Sequence, residues 1–151
     1  MRIEILAVAR GRDPVIEDLV ARYLERTPWK TRLRTIEGGG SASPVRRREI
    51  ETRRLLEALA GAHAIVLDER GRAMSSEAFA RLLARRAEEG CERLAFVIGG
   101  AEGLDPRVRQ RADLLLSLGP MTFPHRLVRL LLAEQIYRAG TILSGHPYHR
   151  A

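Results

Sequence analysis

Apolar and polar positions along the chain switch repeatedly between two periods. Residues 2–8 place Ile3, Ile5 and Ala7 on one side of an extended segment and Leu6 and Val8 on the other, as in a strand covered on both faces. From residue 14 the period lengthens: Val15, Ile16, Leu19, Val20, Tyr23 and Leu24 recur at helical spacing. Asp13 supplies an N-cap and Pro14 a first helical position, and Pro28 ends the segment. The alternation then continues. A strand is predicted over 31–36, and Ser43-Pro44 opens a charged helix that runs to about residue 60, where Gly61 closes it. A continuous apolar strand follows over 63–67. Ser75 caps a helix over about 76–89, with Phe79, Leu82 and Leu83 inward and Gly90 as its stop. Residues 94–98 read as another buried strand, Asp105-Pro106 opens a short helix, 114–118 reads as a last strand and about 125–140 as a last helix.

Strands alternating with helices predict a single α/β domain over residues 1–151, with a mainly parallel sheet and helices on both faces. The length suits one compact domain, and neither a repeat nor an interdomain linker interrupts it. In such sheets, ligands bind beyond the carboxyl ends of the strands. Three of those ends stand out: Leu67-Asp68, the glycine-rich run 99–103, and 118–123.

Composition narrows the class. Hydrophobic residues make up 45% and charged residues 30%, which fits a folded soluble chain rather than a disordered one. A single cysteine excludes an intrachain disulfide and a cysteine-rich metal centre, and no metal is expected. The opening residues carry Glu4 in a short apolar run, unlike a secretory signal, and Arg129 and Glu134 interrupt the most apolar stretch. A cytoplasmic protein with no membrane contact is expected.

Charge changes the picture more. Lys plus Arg number 26 against 19 Asp plus Glu, a net +7, and every basic residue but Lys30 is arginine. A polyanionic partner such as RNA accounts for this; an arginine-favouring genome with a solvated surface accounts for it equally. The distribution is uneven. After Asp113 the only acid is Glu134, whereas Arg126, Arg129, Arg138, Arg150 and three of the four histidines lie there.

Each candidate motif has a plain alternative. The run Gly99-Gly100-Ala101-Glu102-Gly103 admits close backbone approach to a ligand, but as an isolated cluster it reads first as a tight turn. It matches neither the dinucleotide fingerprint nor a Walker loop. The proline-bracketed turn Gly119-Pro120-Met121-Thr122-Phe123-Pro124 offers fixed backbone groups to a purine, or simply connects a strand to a helix. His125 at a helix start favours a neutral imidazole and reads first as a capping residue. The last helix is apolar around much of its circumference, which calls for deep insertion or a second subunit, and Glu134 beside that surface calls for an arginine partner. The terminal His146-Pro147-Tyr148-His149-Arg150 is either an anchored tail or an RNA contact, with tyrosine for stacking and arginine for phosphate.

VIGGAEGL, LSLGPMTFPHRLVRLLLAEQIYRA and the terminal HPYHR, in that order, together with the LDERG turn and the total length, resemble the bacterial RlmH family of the SPOUT superfamily. Those are methyltransferases acting on N3 of a pseudouridine in large-subunit (23S) rRNA. The Gly38–Ser43 loop is the least family-like stretch. The resemblance implies an α/β SPOUT fold whose C-terminal part forms a trefoil knot, a topology nearly absent elsewhere. It also implies a homodimer, with an S-adenosylmethionine site near the subunit interface. By motif matching, Leu67, Gly99, Leu118, Gly119, Pro120, Met121, Thr122 and Phe123 would bind the cofactor. These are the strand ends already singled out.

Methyl transfer to a ring nitrogen needs alignment and removal of a proton. His149 is the first candidate base and His125 the second. Arg150 and Arg129 would hold RNA phosphate or steady negative charge on the base carbonyls, and Tyr148 would stack. The expected partner is 23S rRNA within the ribosome or large subunit, with a role in rRNA processing and ribosome maturation. A non-catalytic RNA-binding protein would need only the basic C-terminal part and leaves the three strand-end turns without a use. A nucleotide-using phosphate-transfer enzyme lacks its Walker lysine and acidic metal cluster.

Overall fold

A computed structural model describes residues 1–149. In chain order the elements are β1 (Arg2–Val8), α1 (Pro14–Leu24), β2 (Lys30–Ile36), α2 (Pro44–Ala58), β3 (His63–Ala73), α3 (Ser76–Glu88), β4 (Arg93–Ile98), α4 (Pro106–Arg111), β5 (Leu114–Ser117) and α5 (His125–Ser144), followed by a 3-10 turn, Pro147–His149. The five strands form one sheet in the order β2-β1-β4-β3-β5, and every pairing is parallel.

The two sides of β1 feed two cores, as its alternation predicts. Ile3, Ile5 and Ala7 pack with Val20, Phe79, Leu83, Leu132 and Ile136, so α1, α3 and α5 cover one face. Leu6 and Val8 pack with Leu55, Leu59 and Val108, so α2 and α4 cover the other. Parallel strands buried on both faces must be apolar throughout; Leu94 to Ile98 are each at most 2% exposed.

The helix starts follow their caps. Asp13, Ser43, Ser75 and Asp105 accept hydrogen bonds from the backbone N–H groups of Ile16, Arg46, Ala78 and Arg107, which satisfies donors that the first helical turn leaves free. Two elements run several residues past their predicted ends, each through a glycine. β3 continues past Leu67 to Ala73, with a register shift against β5 between Leu67 and Arg72. A Cβ on Gly71 would lie 2.6 Å from the Leu115 carbonyl carbon, so only glycine lets the strands meet there. α5 runs on through Gly140 to Ser144. Gly140 lies against Pro28, where a Cβ would approach Cδ to 2.6 Å; it is a packing position, and the left-handed Gly145 (φ 70°) ends the helix.

Candidate functional site

The carboxyl ends of β4 and β5 converge with the irregular middle of β3 on one cleft of about 420 Å3; Leu67-Asp68, expected as a strand end, lies at the register shift within β3 instead. Leu67, Gly99, Leu118, Gly119, Met121, Thr122 and Phe123 all line it. Pro120 is the one member of the predicted cofactor set outside that lining, although it stands within the same turn. Sequence reasoning passed over Arg109 and Val128, which also line the cleft, and gave Asp68 a place at a strand end but no role. A larger groove of about 700 Å3 between α1 and the edge strand β2 gathers none of the strand-end turns.

The loops around the cleft are held from several directions. The Ser117 hydroxyl bonds both the N–H and the carbonyl of Gly119 at 3.1 Å, and Gly119 takes φ +123°, a conformation that side chains rarely adopt. In the glycine-rich turn, Gly103 N–H bonds Gly100 O at 3.0 Å. A Cβ on Gly99 would meet Leu104 Cγ at 2.9 Å, and one on Gly100 would meet Val8 Cγ1 at 3.1 Å. Asp68 accepts from Arg109 and from Arg70 N–H at 2.9 Å. Burial alone would raise the Asp68 pKa, but the Arg109 hydrogen bond and the Arg70 N–H outweigh it and lower the value. The cleft thus pairs an apolar wall of Leu67, Leu116, Leu118, Phe123 and Val128 with glycine backbone and a carboxylate already ion-paired with Arg109, a lining suited to a small ligand with a flat ring.

His125 lies at the first position of α5, and the expected capping role is not realised. Pro124 occupies the N-cap and no side-chain cap bond forms. The imidazole instead lines the cleft. Burial first, then the Arg129 and Arg126 charges, lower its pKa, so at neutral pH it is an uncharged group able to take a proton.

Arg129 is buried, 4% exposed. It donates to the Val8 carbonyl at 3.3 Å, and its Nε has no partner among the described residues. Burial, then repulsion from Arg126, lowers its pKa. Glu134 has the arginine partner its place called for: Arg138 lies at 2.8 Å, one turn on.

The tail turn packs on α5. The Tyr148 ring meets Tyr137 edge-on at 4.7 Å, and the Arg138 guanidinium sits 5.1 Å from its centroid. That seat, at Tyr137 and Arg138, is twelve to thirteen residues along α5 from His125, roughly 18–20 Å at 1.5 Å per residue. His149 belongs to the turn by its backbone, its side chain lying outside the described residues, as does Arg150. Among the described residues, no helix is long and apolar enough to cross a membrane.

Comparison with known proteins gives consistent matches. A family model described as "Predicted SPOUT methyltransferase" matches residues 1–149. A Rhizobium etli protein named ribosomal RNA large subunit methyltransferase H is 51% identical over 160 residues, covering 99% of each chain. A Rhodospirillum centenum protein of the same name is 49% identical over 152 residues, covering 100% of each. Among solved structures, a "probable methylase family protein" from Haemophilus influenzae Rd KW20 superposes with a TM-score of 0.62 at 13% identity, over 97% of this chain and 69% of that one. A "Probable Methyltransferase" from Bordetella pertussis Tohama I gives 0.60 at 16% identity, over 91% and 95%. At such identities these two show a shared fold.

Proposed function

We propose, from the premise that this chain belongs to the SPOUT methyltransferase family and within it to the RlmH group, that it methylates N3 of a pseudouridine in large-subunit rRNA, with S-adenosylmethionine as donor. The observation that carries this reading is the convergence of Leu67, Gly99 and the 118–123 turn on one cleft.

The residues present fit that cofactor. The cleft volume falls within the ~300–1,000 Å3 of small-molecule sites. The apolar wall suits an adenine, the glycines let backbone approach closely, and Glu69 offers a carboxylate to a cationic ligand, Asp68 being taken up by Arg109. When bound, S-adenosylmethionine supplies an activated methyl group. The chain contributes position, a proton acceptor and electrostatic support. Holding the target nitrogen in line is mainly a proximity effect, and the stiff strand-end turns provide it. His149 is the base we assign first, and Arg150 steadies phosphate or carbonyl charge beside it. Arg129 is buried, which favours steadying charge over gripping a surface phosphate. Tyr148 serves the RNA by stacking once released from its seat on α5.

One observation favours a second assignment of the base. His125 lines the cleft itself and is kept neutral, whereas the tail turn packs further along α5.

The protein acts as a homodimer on 23S rRNA in the ribosome or large subunit, in the cytoplasm, in rRNA processing and ribosome maturation, with its C-terminal part threaded as a trefoil knot. Exposed Leu127, Leu131, Met121 and Phe123 support the dimer, being large apolar groups beside the cleft and along one side of α5.

The test is incubation of the purified chain with S-adenosylmethionine and large subunits or ribosomes lacking the modification, followed by nucleoside mass spectrometry. One new methyl per particle, on N3 of a pseudouridine, is expected. Methylation of another nucleotide, or none, overturns the reading.

A further inference from the structure

The cleft has a side chamber that the cofactor reading leaves without a purpose. A cavity of about 260 Å3 adjoins it, and Gly100, Ala101 and His125 line both. The remaining walls are Val8, Ala9, Arg10, Glu51, Glu102 and Arg126. The chamber has room for one pyrimidine ring and no second cofactor.

Glu51 is the unusual wall. It lies on α2, in a helix otherwise rich in exposed arginines, yet is only 8% exposed. A buried carboxylate normally has a direct partner. The other acid facing the chamber has one: Glu102 pairs with Arg10 at 3.1 Å and lies 3.8 Å from Arg47. Glu51 accepts no hydrogen bond from the described residues and keeps its oxygens open to the chamber's solvent, and Arg10 and Arg47 act on it only through their charge. Burial raises its pKa, with those arginines opposing and Glu102 reinforcing the rise. Its position is fixed by the glycine loop: a Cβ on Gly38 would fall 2.2 Å from Glu51 Oε1 and 2.8 Å from Cδ and Cγ. The loop therefore has a use, since only glycine at 38 leaves the carboxyl where it is.

We infer that this chamber receives the target base and that Glu51, seated by Gly38, accepts a hydrogen bond from its N1–H, which distinguishes pseudouridine from uridine. The inference rests on the reading above. In pseudouridine the sugar is attached at C5, and N1–H and N3–H flank the C2 carbonyl symmetrically on the opposite edge. A base entering with its sugar outward can turn N3 towards the cofactor cleft and N1 towards the opposite wall. A uridine in the same pose has its N3–H unchanged but presents a C–H where pseudouridine presents N1–H. With uridine bound, the base shuts solvent out of the chamber and sets a C–H against the carboxyl, which is then desolvated and unsatisfied; that cost rejects the replacement.

The experiment compares methyl transfer to large subunits carrying either pseudouridine or uridine at the target position. The wild-type chain should favour pseudouridine by at least about tenfold in kcat/KM, in keeping with a hydrogen bond to a charged group. Glu51→Ala should bring the ratio to within about threefold of one by losing rate on pseudouridine, with S-adenosylmethionine affinity unchanged. Glu51→Gln, which keeps one acceptor oxygen, should fall between. Gly38→Ala retains the carboxyl but displaces it, so its ratio should also fall; this variant decides the matter if Glu51→Ala does not fold. A wild-type ratio near one, or variants that keep the wild-type ratio, overturns the role of Glu51. A wild-type chain that methylates neither substrate overturns the functional reading itself, which is a separate outcome.

Discussion

The Tyr148 hydroxyl donates to Glu134 Oε1 at 3.2 Å, tying the end of the chain to the middle of its longest helix. The same carboxylate is held by Arg138 at 2.8 Å and accepts from Gln135 through its other oxygen at 2.8 Å. Burial, then hydrogen bonds and charge from Tyr23 and Glu134, push the Tyr148 pKa up to about 12, so the phenol stays protonated and keeps donating.

Removing 148–151 should therefore cost little of the core, because the seat lies on the outer part of α5. Circular dichroism and S-adenosylmethionine affinity should stay close to wild type while methyl transfer to ribosomes collapses. His149→Ala alone should slow transfer by about 100-fold or more, with little change in ribosome binding, because a base acts on the chemical step. Arg150→Ala should weaken ribosome binding and flatten its salt dependence. A tail-deleted chain working at the wild-type rate would leave His125 as the base.

Gly99→Val should lower S-adenosylmethionine affinity by at least about tenfold in calorimetry, since the backbone there lines the cleft. The new Cβ would also crowd Leu104 at 2.9 Å. Gly99→Ala, which adds only that carbon, should show the same direction with a smaller loss. Unchanged affinity in both variants would remove Gly99 from the site.

Gly71→Ala should destabilise the fold by about 1–3 kcal/mol, because the added carbon meets the Leu115 and Leu116 backbone, which cannot swing aside as a side-chain tip would. A fall in the urea midpoint at unchanged m would show it. An unchanged midpoint would mean that β3 and β5 do not approach as described.

Acid stability should report Asp105. The Arg107 side chain and then its backbone N–H hold the Asp105 carboxyl down to about 2 from an ordinary 3.8. A depressed folded-state pKa stabilises the protein above the unfolded value and is lost as pH falls through the folded one. Asp105→Asn, which retains an N-cap acceptor, should be less stable than wild type at pH 6, and the difference should vanish between about pH 4 and pH 2. A difference independent of pH would assign the effect to the cap instead.

The dimer has its own test. Light scattering after gel filtration should give about twice the chain mass, and Leu127→Glu with Leu131→Glu should give the monomer, since both residues are exposed and one helical turn apart. A wild-type monomer at micromolar concentration contradicts the dimer.

Local signals were legible where one residue decides the backbone. Asp13-Pro14, Ser43-Pro44 and Asp105-Pro106 each mark a helix start that the structure reproduces. The alternation in residues 2–8 already separates the two cores. What escaped depends on partners distant in sequence. Gly71 and Gly140 read as punctuation, but one faces β5 and the other Pro28. Arg129 reads as a surface cation, and only the turn of α5 against β1 buries it. The turns that line the cleft were visible because glycine and proline at strand ends carry a local signature. Glu51 was not, since a glutamate among arginines on a charged helix looks solvated until Gly38 closes over it.

The most direct measurement is a mass-spectrometric map of 23S rRNA from cells lacking this protein, compared with wild type and with cells given the gene back. The expected result is the loss of a single N3-methyl group from one pseudouridine, restored by the wild-type chain, with the pseudouridine itself still present. An unchanged map, or a methyl lost from any other nucleotide, would contradict it.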